Sequence, residues 1–195
     1  MIKPSLKEVI RTVSVFVISY IAFLFIWLQI KDPYGFLITT VASKAVTAVK
    51  DVRYEYLTEK EGIVEATFSP LRHGEDILID IPVKTSSYTF NAPLTMAIMA
   101  GLYPYLRRRL QGYSEALLIL FIIHLLYVFS LEANELTGVF VTRGLEKFNK
   151  LKLLAYQFLW GFTDNMLMRF EPFLYLCEIR EGEIRVSPGQ NFSSC

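Results

Sequence analysis

Gln157, Asp164 and Glu171 recur at a spacing of seven along the last apolar stretch of the chain. On a helix that spacing stacks them along one face, with Trp160, Gly161 and Met168 among them. Asn165 and Arg169 sit four apart on a neighbouring face. Ionisable groups at membrane depth are costly, so such a stripe faces a bundle interior, water or a partner. The chemistry it suits is a proton or ion relay, or part of a buried active site. The same residues also suit a polar seam holding helices together, or an imperfect helix near the interface whose Arg169 snorkels to water. His124, midway along an earlier apolar stretch, is the other ionisable group near mid-membrane. As a neutral ring bonded across helices it is structural; paired with Asp164 at compatible depth it would transfer protons.

Other chemistries lack their patterns. There is no GxSxG, HExxH, phosphate loop or GxGxxG. His73 falls in the outer insertion and Cys177 at the far end of the last apolar stretch, so no metal set forms with His124. Glu75, Asp76 and Asp80 lack the spacing of a calcium loop and read as a solvated turn. Cys177 with His124 and Arg169 would imitate a membrane transpeptidase. However, Cys177 lies past the last apolar turn and beside Glu178, which opposes thiolate formation. Cys177 and Cys195 make no disulfide framework. No cofactor is implied.

The elements that must position these residues are set by an uncharged run, TVSVFVISYIAFLFIWLQI, at residues 12–30. A hydrocarbon slab of about 30 Å needs about 20 such residues as helix. Lys3, Lys7 and Arg11 precede the run, and Lys31, Asp32 and Pro33 end it. The apolar region is too long for a cleaved signal, and small residues at cleavage spacing are missing, so we read a retained anchor. Composition agrees, with 53% hydrophobic and 20% charged residues and a mean hydropathy of +0.36. A net charge of +1 provides no global field to recruit nucleic acid.

After Pro33 a second, amphipathic helix is expected over residues 35–50, lying on the membrane or covering the domain that follows. The period then changes to two. Residues 53–58 and 63–68 alternate about the hairpin composition Glu59, Lys60, Glu61, Gly62, and Ile77, Ile79, Ile81 and Val83 share a face of a third strand. Pro82 makes that strand an edge or places a bulge in it. A three-stranded antiparallel meander of this size has no sufficient core of its own and must lean on the preceding helix or on a partner. Lipid-length segments resume at residues 90–106, where Asn91 suits a cap and Pro93 a first turn, then at 116–131 and 151–176. The last contains Asp164, Arg169 and Glu171, and Pro172 should end or kink it.

The expected fold is therefore mainly α, a membrane protein with about four transmembrane helices and a small extramembrane α+β insertion. Its parts are an anchor (1–31), an extracytoplasmic domain (32–89), membrane helices two to four (90–176) and a polar tail (177–195). The basic start and Arg107, Arg108 and Arg109 lie on one side, which the positive-inside rule makes cytoplasmic. Arg143, Lys147 and Lys150 then fall outside, which weakens the fourth crossing and leaves the side of the tail open.

Taken in order, these pieces resemble the exosortase H-associated membrane proteins. The matching features are the basic start with its anchor, the β-rich insertion, YTFNAPL at residues 88–94, and the triple arginine. Tyr156 with Gln157, and Glu171 with Pro172 before a final apolar turn, complete the likeness. The resemblance implies a multi-pass accessory protein of a Gram-negative inner membrane, partnering an exosortase-type cysteine transpeptidase and contributing no catalytic residues. The sequence reading is thus a non-catalytic membrane accessory protein whose outer domain presents a client. The alternative is an intramembrane enzyme or transporter subunit using Asp164, Glu171 and His124, which would need oligomerisation to build a path.

Overall fold

A computed structural model describes residues 6–71, 77–103, 109–144 and 149–170. The chain is mainly helical, in the order α1 (Leu6–Val49), β1 (Val52–Lys60), β2 (Ile63–Pro70), β3 (Ile79–Lys84), α2 (Thr85–Thr89), α3 (Asn91–Leu102), α4 (Arg109–Thr142) and α5 (Lys150–Phe162). A π turn, Thr163–Leu167, continues α5.

Among the described residues two helices, α1 and α4, are long and apolar enough to cross a membrane, where four were expected. The expected second span has a described helix of 12 residues, about 18 Å at ~1.5 Å per residue, and the expected fourth is helical through residue 170 but interrupted by the π turn. Residues 104–106 and 171–176 of these two segments lie outside the described residues. Half of the apolar window of α4 is buried inside the protein, whereas none of that of α1 is. Ala116, Leu120, Ile123, Tyr127 and Val128 supply α4's buried face. Its apolarity therefore serves a protein interior as much as lipid.

The expected break at Pro33 is also corrected. Helix α1 runs unbroken for 44 residues with Pro33 inside it, about 66 Å at ~1.5 Å per residue, so residues 35–50 are its second half. Proline removes one backbone bond, leaving the Gln29 carbonyl without its usual donor. Tertiary packing outweighs that loss, because Gly35, Ile38, Ala42 and Val46 are buried beyond it. The first half instead exposes apolar side chains, Ile18 and Phe25 by about two thirds of their surface.

The meander forms as expected, with strand order β1-β2-β3 and both pairs antiparallel. Pro82 lies on an edge strand, and the irregularity falls in β1, between Tyr54 and Tyr56. That extra residue brings Leu57 opposite Ala66, so the inward face of β1 is Val52, Tyr54 and Leu57. Val46 of α1 and Leu136 and Phe140 of α4 complete the core with Ala66, Phe68 and Ile81. The sheet thus leans on both long helices. Its charged side chains Glu55, Glu59, Glu65 and Asp80 are exposed.

Between β1 and β2, Glu61 (φ 55°) and Gly62 (φ 75°) are both left-handed, the requirement of a two-residue type I′ hairpin loop. Gly62→Ala is expected to lose about 1–2 kcal/mol, the left-handed cost of a side chain. Glu61→Asn should gain about 0.5 kcal/mol, since Asn tolerates that region. Denaturant unfolding in detergent micelles measures both signs.

Helix direction follows from the contacts. Gly101 of α3 packs on Phe16 and the Thr12 carbonyl, while Gly35 meets Thr85 at the start of α2. The α2–α3 arm therefore returns antiparallel along α1. Helix α4 then runs parallel to α1, pairing His124 with Tyr34 and Glu132 with Ser43. Trp160 stacks edge-on against Tyr127 and Leu153 lines a cleft with Val139 and Thr142, so α5 descends antiparallel beside the second half of α4.

Candidate functional site: a buried polar ladder between the two long helices

Polar side chains meet between α1 and α4 at three levels: Tyr34 and Ser43 of α1, and Lys50 just past its end, each reach a polar group of α4. Ser43 and Lys50 are buried, as is Thr39 between Tyr34 and Ser43, whose hydroxyl donates to the Gly35 carbonyl of its own helix. Opposite them on α4 stand His124, Glu132 and Thr137, all buried.

At the lower rung Tyr34 Oη and His124 Nδ1 are 2.8 Å apart, and His124 Nε2 lies 2.9 Å from Asn91 Oδ1. A neutral ring with its proton on Nε2 satisfies all three groups: Tyr34 donates to Nδ1, and Nε2–H donates to Asn91. Asn91 is thus not a helix cap; α3 begins after Phe90 without a side-chain cap bond, and the amide is spent on the histidine. The His124 ring is also gripped edge-on by Tyr34 and Tyr88, at 5.7 and 5.5 Å between centroids. Tyr88 stacks on Tyr127, which meets Trp160. This aromatic row ties α1, α2, α4 and α5 together.

Burial pushes the Tyr88 phenol up to about 12, opposed by the Thr39 and Thr85 hydroxyls. It therefore stays a neutral donor at ordinary pH, reaching 3.4 Å from the Gly35 carbonyl.

One rung higher, Ser43 Oγ donates to Glu132 Oε1 at 2.8 Å. Glu132 is fully buried, and its Oε2 has no hydrogen-bond partner among the described residues. At the top, Lys50 Nζ donates to Thr137 and lies over the Tyr156 ring, 3.9 Å from its centroid, a cation–π contact in a dry setting.

The residues singled out from the sequence are distributed differently. His124 enters the ladder, but it engages Tyr34 and Asn91 rather than Asp164. Gln157 is exposed and lines an open cleft of about 350 Å³ with Glu135, Arg143 and Leu153. Asp164 is half-buried and Arg169 exposed. Glu171, Cys177 and His73 lie outside the described residues. The π turn explains part of the difference. Met168 N–H reaches the Thr163 carbonyl five residues back, so one residue is inserted into the helical phase and a strict seven-residue stripe cannot persist through it. Side chains cover carbonyls around the turn: Thr163 Oγ1 donates to Leu159 O at 2.8 Å and Asn165 Nδ2 to Gly161 O at 3.0 Å.

Sequence reasoning missed Glu132, Ser43, Lys50 and Tyr34. The one available signal is that Glu132 directly follows the apolar run 116–131. Chemically the ladder holds one neutral imidazole with both nitrogens engaged and one carboxyl with a free oxygen. Among the described residues no group of three His, Cys, Asp or Glu side chains is placed to hold a metal ion.

Among the described residues the fold is mainly helical, with two apolar helices of membrane-spanning length that meet along a buried polar seam and hold a small antiparallel sheet on an apolar core. No protein family's sequence profile matches the chain, and neither curated proteins nor solved structures return a match.

Proposed function

We propose that this chain is a non-catalytic, multi-pass accessory protein of a cell inner membrane. Its amino terminus is cytoplasmic and residues 32–89 are extracytoplasmic. Carrying this reading is the continuity of α1: its first half exposes apolar surface with none of the spanning window buried, and its second half is core for the sheet. Anchor and outer domain share one rod, so a client held by the sheet would sit at a fixed height above the lipid. Sidedness is supported by direction. Helices α1 and α4 run parallel and so begin toward the same side, the side that Lys7 and Arg11 make cytoplasmic by the positive-inside rule.

The partner in this reading is an integral membrane protein, of which an exosortase-type cysteine transpeptidase is the form the family resemblance suggests. For an extended client, β1 is the better of the two edges. It is nine residues long, whereas Pro82 leaves β3 short of a backbone donor. Affinity purification of the full chain in mild detergent is expected to recover a membrane protein in stoichiometric amount. A lone, well-behaved monomer overturns the reading.

The second reading, an intramembrane enzyme or transporter subunit using Asp164, Glu171 and His124, is favoured by one observation, the unengaged Oε2 of buried Glu132. Asp164→Asn, Glu171→Gln and Glu132→Gln separate the two. An accessory protein loses assembly or nothing, and a relay loses turnover with assembly intact.

A further inference from the structure

Helix α5 packs a half-buried face, Leu153, Tyr156 and Trp160, toward α4 and leaves a second apolar face uncovered. Leu151, Leu154, Phe158, Phe162, Met166 and Phe170 recur at three- and four-residue intervals and are all exposed, Leu151 by 78% and Phe158 by 74%. The π turn keeps Met166 and Phe170 close to the line of the others despite the four-residue steps, which alone would drift around the helix. A monomer in water rarely leaves such a continuous apolar ridge bare.

Height decides whether lipid covers it. Lys50, which meets Tyr156 of α5, lies twenty residues beyond Ile30, roughly 30 Å further along the same helix. The sheet packs on α1 and α4 at that height and exposes Glu55, Glu59, Glu65 and Asp80 there. Hydrocarbon does not accommodate exposed strands bearing carboxylates. The upper ridge, Leu151 to Phe158, therefore stands outside the lipid around residues 12–30, and its cover must be protein.

Charge narrows the choice of protein. Exposed Lys150 and half-buried Lys152 stand at one end of the ridge and exposed Arg169 at the other. A second copy in the same membrane shares the orientation of the first, so the two ridges would meet side by side in parallel. Lys150 would then face Lys150, and Arg169 would face Arg169, a like-charge arrangement at both ends.

We propose that the α5 ridge is the docking face for an apolar helix of a different membrane protein, one flanked by carboxylates at the heights of Lys150 and Arg169. Apolar side chains at three- and four-residue spacing would fill the gaps around Phe158, and the acidic flanks would set its register. This rests on the accessory-protein reading and names the surface that reading requires.

The test places a photoreactive phenylalanine analogue at position 158 of the full chain, and separately at position 25, in native membranes. Irradiation at 158 is expected to give one protein adduct, whose captured peptide has apolar residues three and four apart and Asp or Glu at its ends. Position 25 is expected to label lipid. An adduct at 158 with a second copy, with lipid, or with no protein at all overturns the proposal. So does a captured peptide without acidic flanks. A companion variant, Leu154→Glu with Phe158→Glu, alters only exposed positions. It should cut recovery of the partner at least tenfold while the unfolding midpoint in detergent stays unchanged. If a partner co-purifies but recovery survives this variant, the ridge proposal falls and the accessory reading stands. If no partner is recovered from either protein, both fall.

Discussion

His124→Ala is expected to cost about 4 kcal/mol of stability. The ring is fully buried, so its loss leaves a cavity among Tyr34, Tyr88 and Asn91, and truncations of this size cost about 2–5 kcal/mol. Tyr34 Oη and Asn91 Oδ1 each lose their bond to the ring, and a lost hydrogen bond costs about 0.5–1.5 kcal/mol. Tyr34→Phe removes one bond and keeps the ring, so about 1 kcal/mol is expected there. The pair His124→Ala and Asn91→Ala should be non-additive by about 1 kcal/mol or more, since each single change already breaks the shared bond. Denaturant unfolding in micelles measures all four proteins. A loss below 1 kcal/mol for His124→Ala would show that the ring does not bridge the helices.

Gly35→Leu is the second large effect, at about 3 kcal/mol or more. A Cβ at position 35 would stand 3.0 Å from Thr85 Cβ and nearer still to its Oγ1 and Cγ2. The close approach of α2 to α1 exists only because no side chain intervenes. Overpacking of a rigid contact costs about 1–3 kcal/mol, and displacing α2 would also disturb Tyr88 and, through it, the His124 ring. Gly138 of α4 provides the opposite sign. A Cβ there meets nothing within 4 Å, so Gly138→Ala should stabilise by about 0.5–1 kcal/mol through helix propensity. Equal losses at both glycines would contradict the packing described.

Together these effects place the weight of the structure on the crossing of α1, α2 and α4 rather than on the α5 stripe. Asp164 lies half-buried within the π turn, so its substitution is expected to be mild by comparison. The ladder fixes α4 against α1, and the apolar core then fixes the sheet on both.

The meander was legible from sequence because strand period is local. Alternation in residues 63–68 already names Val64, Ala66 and Phe68 as one face, and all three are buried. Gly62 marked the turn for the same reason. The apolar run at 12–30 was equally plain, since length and lack of charge alone decide it. What local pattern could not decide was whether an apolar segment meets lipid or protein. Leu120 and Val128 are buried, whereas Leu117 and Leu118 are exposed, yet all belong to one continuous apolar stretch. Among the described residues two of the four expected segments, α1 and α4, form helices of spanning length and hydropathy. Pro33 reads as a stop because the chain's own cost there is visible, while the burial of Ile38, Ala42 and Val46 that overrides it is not. The partner of His124 lies 90 positions away in Tyr34, and the buried state of Glu132 depends on Ser43, 89 positions away. Sequence by itself determined the local elements and the apolar run. Only tertiary contact between distant turns decided which polar groups are buried and what satisfies them, because desolvation is a property of the neighbours a residue acquires in space.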